Sequence, residues 1–226
     1  MKQFPPSVCI IIPALNAASS LPSLIDRIRR IAPASCILVV DDGSGDRTHE
    51  VAARASASVL RHDRNLGKGG ALKSGIRHAL EDERTEAIIT LDADGQHDPG
   101  DLPGFVDVWK RDGADLVIGN RRILGSSMPF HRRLSNVLTS FLVSARTGRK
   151  IPDSQCGFRL LTRRFAETVR VYSDGFEAET EWIMRGAASG FRIGWTPVQT
   201  VYNAHPSHMK KWATTKAFVR ILLQEY

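Results

Sequence analysis

The stretch Ile88-Ile89-Thr90-Leu91-Asp92-Ala93-Asp94-Gly95-Gln96-His97-Asp98-Pro99 constrains this chain more than any other. Apolar and β-branched residues run into two carboxylates one residue apart, and Gly95 and Pro99 stop the run. An ionised carboxylate is costly to bury alone. The pattern therefore predicts a buried β-strand with Asp92 and Asp94 at its carboxyl end, where an open α/β sheet keeps its ligand crevice. Acidic oxygens beside the Gln96 amide suit a hard divalent cation. Taken alone, the same residues also read as a polar turn closing a strand.

The rest of the chain repeats the theme. Val8-Cys9-Ile10-Ile11-Ile12 is an apolar strand ended by Pro13. Leu21, Leu24, Ile25 and Ile28 then recur at helical spacing. Residues 36–40 form a second apolar strand, with Asp41-Asp42-Gly43-Ser44 as its exit loop. Residues 46–57 read as a helix, 58–61 as a short strand, 68–80 as a helix and 87–91 as the fourth strand. Continuous strands alternating with helices predict α/β architecture: a doubly wound, mostly parallel sheet with helices on both faces. Beyond Gly113 the alternation loosens. Strands are expected at 115–119, 156–161 and 191–201, the last at an edge because of Pro197, and helices at 130–147, 163–172 and from 176. No linker divides the 226 residues, so one domain over 1–226 is expected.

A net charge of +7 favours anionic partners such as nucleotides and phospholipid headgroups. No nucleic-acid module is recognisable, so nucleic acid is not an expected partner. Cys9, Cys36 and Cys156 have neither disulfide nor zinc spacing, which favours a reducing compartment. The N-terminus lacks the apolar core of a signal peptide, and no run approaches the roughly 20 apolar residues of a membrane span.

Two further stretches point to a nucleotide. Asp41-Asp42-Gly43-Ser44 ends its strand as Asp92-Ala93-Asp94 ends another. A carboxylate there can accept from a base edge or from ribose hydroxyls, or Asp42 can cap a helix. Asn65-Leu66-Gly67-Lys68-Gly69-Gly70-Ala71 is a Gly-rich entry to a helix, whose N–H groups and Lys68 are candidates for holding a phosphate. It is neither a dinucleotide fingerprint nor a P-loop, since Leu72 stands where the third Gly belongs and no G-K-[ST] occurs.

Together, Pro13-Ala14-Leu15-Asn16, Asp41-Asp42-Gly43-Ser44, Asn65-Leu66-Gly67-Lys68-Gly69 and Asp92-Ala93-Asp94-Gly95-Gln96 resemble, in order and spacing, the inverting family 2 glycosyltransferases of GT-A fold. Among these they look like the dolichyl- or polyprenyl-phosphate mannose and glucose synthases, over about residues 7–210. The resemblance implies that Pro13, Leu15 and Asn16 line the nucleotide pocket, although the family usually has Glu where Asn16 stands. Asp41 would meet the base or ribose, Asp42 would support the loop, and Lys68 and Ala93 would lie along the donor. Asp92, Asp94 and Gln96 would hold Mg²⁺ or Mn²⁺ against the donor diphosphate.

The resemblance extends to the acceptor. Arg121 and Arg132, with Arg133 as an adjacent rival, look like the basic pair that holds a lipid phosphate, for which a planar guanidinium fork is suited. The run Asp153-Ser154-Gln155-Cys156-Gly157-Phe158-Arg159 looks like a motif beside the acceptor, with Asp153 in it. Ser207, flanked by His205 and His208, partly matches a C-terminal segment.

The expected reaction moves a hexose from a GDP-mannose- or UDP-glucose-type donor to a polyprenyl phosphate or related membrane lipid, with inversion. Asp92, Asp94 and Arg121 are its expected catalytic residues. A phosphate oxygen is already anionic and needs no strong base; a hydroxyl acceptor would need one, and Glu179 is the candidate ahead of Glu177 and Glu181. About 7–120 would serve the donor, 121–210 the acceptor, and 210–226 would form an amphipathic helix lying in the membrane interface. The chain is thus expected at the cytoplasmic face of a membrane, with a membrane-anchoring subunit as a further partner. The rivals are a family 2 transferase using a hydroxyl acceptor, a sugar nucleotidyltransferase and a nucleotide-binding scaffold. Pro13-Ala14-Leu15-Asn16 stands where a nucleotidyltransferase carries a Gly-rich, Arg-containing loop, and a scaffold has no need of a metal held by Asp92, Asp94 and Gln96.

Overall fold

Seven strands form one sheet in the order β3-β2-β1-β4-β6-β5-β7. The structure is a computed structural model and describes residues 4–121, 130–199 and 218–224, with the side chains of 130–132 outside the description. The strands are β1 (Val8–Ala14), β2 (Cys36–Asp41), β3 (Ser58–Arg61), β4 (Ala87–Thr90), β5 (Leu116–Asn120), β6 (Arg159–Thr162) and β7 (Ile193–Pro197). All neighbours pair in parallel except β6, which is antiparallel to β4 and to β5. β7 lies at an edge, where Pro197 removes no ladder donor that a neighbour needs.

This topology decides what meets at the ligand edge. β1, β2 and β4 are parallel neighbours, so their exit loops emerge side by side; Ala14 pairs with Asp41 at that end. β5 runs the same way and delivers Arg121 there. The reversed β6 presents its beginning instead: Arg159 pairs with Thr90, so the loop 153–158 enters the crevice from the opposite sense.

Helix α1 (Leu21–Ile31) buries Leu21, Leu24, Ile25 and Ile28, the stripe expected of a helix covering a sheet. After α2 (Thr48–Arg54), helix α3 (Lys68–Leu80) sits unusually close to the sheet because its packed positions are small. A Cβ at Gly75 would lie 2.8 Å from Ile11 and 2.9 Å from Val40. Helix α4 (Leu102–Asp112), preceded by a 3-10 turn at Pro99–Asp101, has no counterpart among the sequence expectations. Pro103 and Gly104 mask it, yet both stand in its first turn, where proline's missing N–H is no loss.

Helix α5 (Phe130–Thr147) matches its expected span, and α6 (Arg163–Thr168) is shorter than expected. Helix α7 (Ala178–Ala188) starts two residues later than the Phe176 expected from sequence. β6 starts at Arg159 rather than 156, because the residues before it turn into the crevice. Of the expected C-terminal amphipathic helix, residues 210–217 lie outside the described residues. Residues 218–223 are helical, but Ile221 is buried and Phe218 and Leu222 pack against the core. Val219 and Leu223 of the same stretch are exposed.

Candidate active site

Lys68, the first residue of α3, is the hub of the crevice. Its Nζ lies 2.6 Å from Asp92 Oδ1 and 2.9 Å from Glu179 Oε1. Asp92 comes from the loop after β4 and Glu179 from the first turn of α7, so one ammonium ties three separate elements. Burial opposes Lys68's charge, but the two carboxylates outweigh it and hold the ammonium above the ordinary lysine range. Burial likewise opposes Asp92's charge, yet Lys68, then His97, hold its carboxyl well below the usual range. His97 Nε2 lies 3.7 Å from Asp92 Oδ2, with its ring against Phe158. The Phe176 ring sits 5.7 Å from Lys68 Nζ, near enough for a cation–π contact.

Gly157 forms the floor beneath this ion cluster, and Thr90 Oγ1 donates to its carbonyl at 2.9 Å. The floor is fixed by Arg159, which is fully buried. Its guanidinium donates to the carbonyls of Cys156 at 2.7 Å, Ser154 at 2.9 Å and Glu179. A buried guanidinium must be hydrogen-bonded, so these three carbonyls and the loop that carries them are held in place. In the sequence, His97 and Arg159 are marked by position alone, one beside the paired acids and one opening β6.

Asp94 is exposed, and its Oδ1 accepts the Gln96 N–H at 3.0 Å. Burial of its carboxyl group, then the charge of Asp92, push its pKa above the ordinary value. A cation would relieve that repulsion. Two carboxylates and an amide are hard oxygen donors, so Asp92, Asp94 and Gln96 fit Mg²⁺ or Mn²⁺ by donor chemistry. Among the described residues no three His, Cys, Asp or Glu side chains gather as a ready-made metal cluster.

On the nucleotide side, Asp41 is fully buried. Its Oδ1 accepts the Ser44 N–H at 2.9 Å, while Oδ2 has no hydrogen bond among the described residues and faces Arg61 Nε at 3.5 Å and His49 Nδ1 at 3.8 Å. A buried oxygen left open at a crevice is a place for a ligand donor. Asn16 takes up a left-handed φ of 52°, which Asn tolerates, and its Oδ1 accepts the Gly45 N–H at 2.9 Å. The β1 and β2 exit loops are thereby stitched together, with Pro13 and Leu15 half-buried beside them and Ala93 buried across the crevice.

In the Gly-rich loop, Leu66 and Gly67 donate to Asp42 at 2.8 and 2.9 Å, and Gly70 donates to the Asp174 carbonyl at 3.1 Å. Asp42 also pairs with His62 at 2.8 Å. Gly67 has a φ of 88°, and a Cβ there would collide with the Asp174 carbonyl. The glycines therefore permit close packing, and Asp42 supports the loop rather than capping a helix.

On the acceptor side, Arg121 grips Asp153 with both prongs, Nε to Oδ2 at 2.7 Å and Nη2 to Oδ1 at 2.9 Å. Asn136 of α5 donates to the same carboxylate at 2.9 Å. Burial opposes Asp153's charge, but Arg121 and Asn136 keep its carboxyl below the ordinary range. Arg133 is half-buried. The side chain of Arg132, and Ser207 with His205 and His208, lie outside the described residues. Of the three glutamates, Glu181 holds the N–H groups of Tyr172 and Ser173 and pairs with Arg185, and Glu177 precedes α7; of the three, Glu179 is the one paired with Lys68, the ammonium that also holds Asp92.

The outer face of α5 is apolar and exposed. Leu134, Val137, Leu138 and Phe141 recur at helical spacing, with Phe141 67% exposed, while Asn136, Ser140 and Val143 face inward. Among the described residues no helix is long and apolar enough to cross a membrane.

Comparison with known proteins agrees with this geometry. The profile of glycosyl transferase family 2 matches residues 9–170. An undecaprenyl-phosphate mannosyltransferase of Micrococcus luteus is 33% identical over 205 residues, covering 86% of this chain and 83% of that one. A UDP-N-acetylglucosamine–dolichyl-phosphate N-acetylglucosaminyltransferase of Methanococcus voltae is 24% identical, covering 88% and 87%. Glucosyl-3-phosphoglycerate synthase of Mycobacterium tuberculosis, solved with Mn²⁺, UDP and phosphoglyceric acid, superposes with a TM-score of 0.77 at 19% identity, covering 96% of this chain and 77% of that one. That likeness establishes the GT-A fold.

Proposed function

The chain belongs to glycosyl transferase family 2, and from that premise we propose that it transfers a hexose from a nucleotide sugar to a polyprenyl phosphate or related lipid phosphate, with inversion. The observation that carries this reading is the Arg121–Asp153 pair. A buried carboxylate fixes the Arg121 cation at the end of β5, and the helix that also bonds this carboxylate turns an apolar face outward. A lipid phosphate needs both features at once: a fixed positive charge near its headgroup and a greasy surface for its chain.

Asp41 Oδ2 takes a donor hydrogen of the base or ribose, and Asn16, Pro13 and Leu15 border the nucleotide. Asp94, Gln96 and Asp92 would hold Mg²⁺ or Mn²⁺, which when bound would supply charge stabilisation for the departing diphosphate. Lys68 acts chiefly by positioning: it keeps the Asp92 and Glu179 carboxylates at fixed separation and neutralised. The acceptor phosphate oxygen, oriented by Arg121, attacks the anomeric carbon as the bond to the nucleoside diphosphate breaks on the opposite face. Because that oxygen is already anionic, no proton has to be removed. A hydroxyl acceptor would call on Glu179 as base, but its Oε1 is already engaged by the Lys68 ammonium.

Labelled GDP- and UDP-sugars, each incubated with polyprenyl phosphate, with a free alcohol acceptor and with neither, test the reading. Label is expected in the organic phase only with lipid phosphate and divalent cation. Transfer to the alcohol but not to the phosphate would overturn it.

A further inference from the structure

Cys9 and Cys36 lie at the far ends of the strands from this crevice. They are direct partners in the parallel register of β1 and β2. In-register residues on neighbouring strands point to the same face, and such strands run about 4.8 Å apart. That lies inside the Cα separation of roughly 4.4–6.8 Å that disulfides bridge. The two thiols differ in access: Cys9 is 2% exposed, whereas Cys36, opening β2, is exposed to solvent.

The surroundings separate their reactivity as well. Their mutual contact separates the two thiols in character: the bond from the Cys9 thiol, then the Arg29 cation, hold Cys36 below the ordinary thiol range against the effect of its own burial, while the contact with Cys36, then burial, raise Cys9. Arg29 is itself fixed, donating to the carbonyl of Ser35 at 2.7 Å and of Ser56 at 3.0 Å. Asp82 is the opposing charge. An accessible thiolate beside a protected second thiol is the arrangement of a peroxide-sensitive cysteine with its resolving partner.

We propose that Cys9 and Cys36 form a modification site, oxidised by hydroperoxides to a reversible disulfide across β1 and β2. The Cys36 thiolate attacks a peroxide oxygen, the O–O bond breaks, and Cys36 sulfenic acid and hydroxide result. That hydroxide takes the Cys9 proton, giving the first water, and the Cys9 thiolate attacks the Cys36 sulfur, forming the S–S bond and expelling the sulfenic oxygen as hydroxide, which the proton given up earlier by Cys36 turns into the second water. Two thiols and one hydrogen peroxide give one disulfide and two waters. Cys156 takes no part: it is buried, and burial followed by the charge of Asp153 pushes its thiol up to about 12.

The test uses the full chain, reduced, then exposed to hydrogen peroxide, denatured and alkylated before peptide mass analysis. Cys9 and Cys36 are expected in one cross-linked peptide pair lacking two hydrogens, with Cys156 alkylated and with dithiothreitol restoring both thiols. In Cys9→Ser the same treatment with dimedone should leave the adduct on Cys36, and in Cys36→Ser Cys9 should stay alkylatable. Should either variant fail to fold, the wild-type peptide map decides alone. A map in which Cys36 remains alkylatable, passes to sulfinic acid with Cys9 still a thiol, or links only to a second chain would overturn the proposal.

Discussion

A Cβ placed on Gly157 would lie 2.8 Å from Lys68 Nζ, and equally close to Asp92 Oδ2. The hydrogen at this position is what lets the ammonium and both carboxylates meet. The atoms in the way are the ends of side chains, which can move aside without disturbing the backbone. Gly157→Ala should therefore change stability by about 1 kcal/mol or less, a melting shift of ~2–4 °C. Displacement of the cluster by an ångström should nonetheless cost around a hundredfold in kcat/KM. A variant as active as wild type would show that the cluster's geometry is irrelevant to turnover.

Lys68→Met leaves Asp92 facing Glu179 with no cation between them. Breaking a buried ion pair by removing one partner costs about 3–5 kcal/mol. Denaturant melts should show a loss at the lower end of that range, because Asp92 keeps a 28% exposed side chain. Activity should disappear as well, and Lys68→Arg should not restore it, since a planar fork does not replace a point charge.

Asp94 contributes little packing, so Asp94→Ala should fold normally and lose both turnover and Mn²⁺ binding measured by calorimetry. Wild-type Mn²⁺ affinity in this variant would move the cation site elsewhere.

Asp153 gives a pH test. Its carboxyl group titrates below the ordinary range in the folded protein, chiefly because Arg121 overcomes the effect of burial. The resulting stability is complete above the unfolded value of about 3.9 and is lost as pH falls through the lower folded value. The melting-temperature gap between wild type and Asp153→Asn should be widest near neutrality and narrow below about pH 4. A gap independent of pH would show that packing, not charge, makes the pair matter.

Phe141 and Leu138 supply the membrane test. Both are exposed, so Leu138→Ser with Phe141→Ser should leave stability within about 0.5 kcal/mol. Flotation with anionic vesicles should drop several-fold, and transfer to polyprenyl phosphate should fall with it while nucleotide affinity holds. Unchanged flotation would remove α5 from any membrane contact.

Local chemistry was legible because it is local. Period-two and period-3.6 patterns gave β1, α1, β2, β3, α3 and α5 close to their bounds, and a carboxylate's cost of burial put Asp92 and Asp94 at a strand end. The Asp-Asp and Asp-x-Asp loops fell on one edge because continuous apolar strands separated by helices must run parallel. Helix α4 escaped because Pro103 and Gly104 break the pattern where a helix can in fact accept them.

What only the tertiary structure decided is who holds whom. No spacing in the chain says that Lys68 bridges Asp92 and Glu179, residues drawn from three elements. Nor does it say that Asp42 takes the N–H groups of the Gly-rich loop, or that Arg159 is buried to pin the floor beneath Lys68. The reversal of β6 brings Gly157 against Asp92, and strand direction follows from how the whole sheet closes. Hydrogen-bond partners are settled by three-dimensional competition among all nearby donors and acceptors. A sequence names the competitors in order, and the fold sets the distances that choose between them.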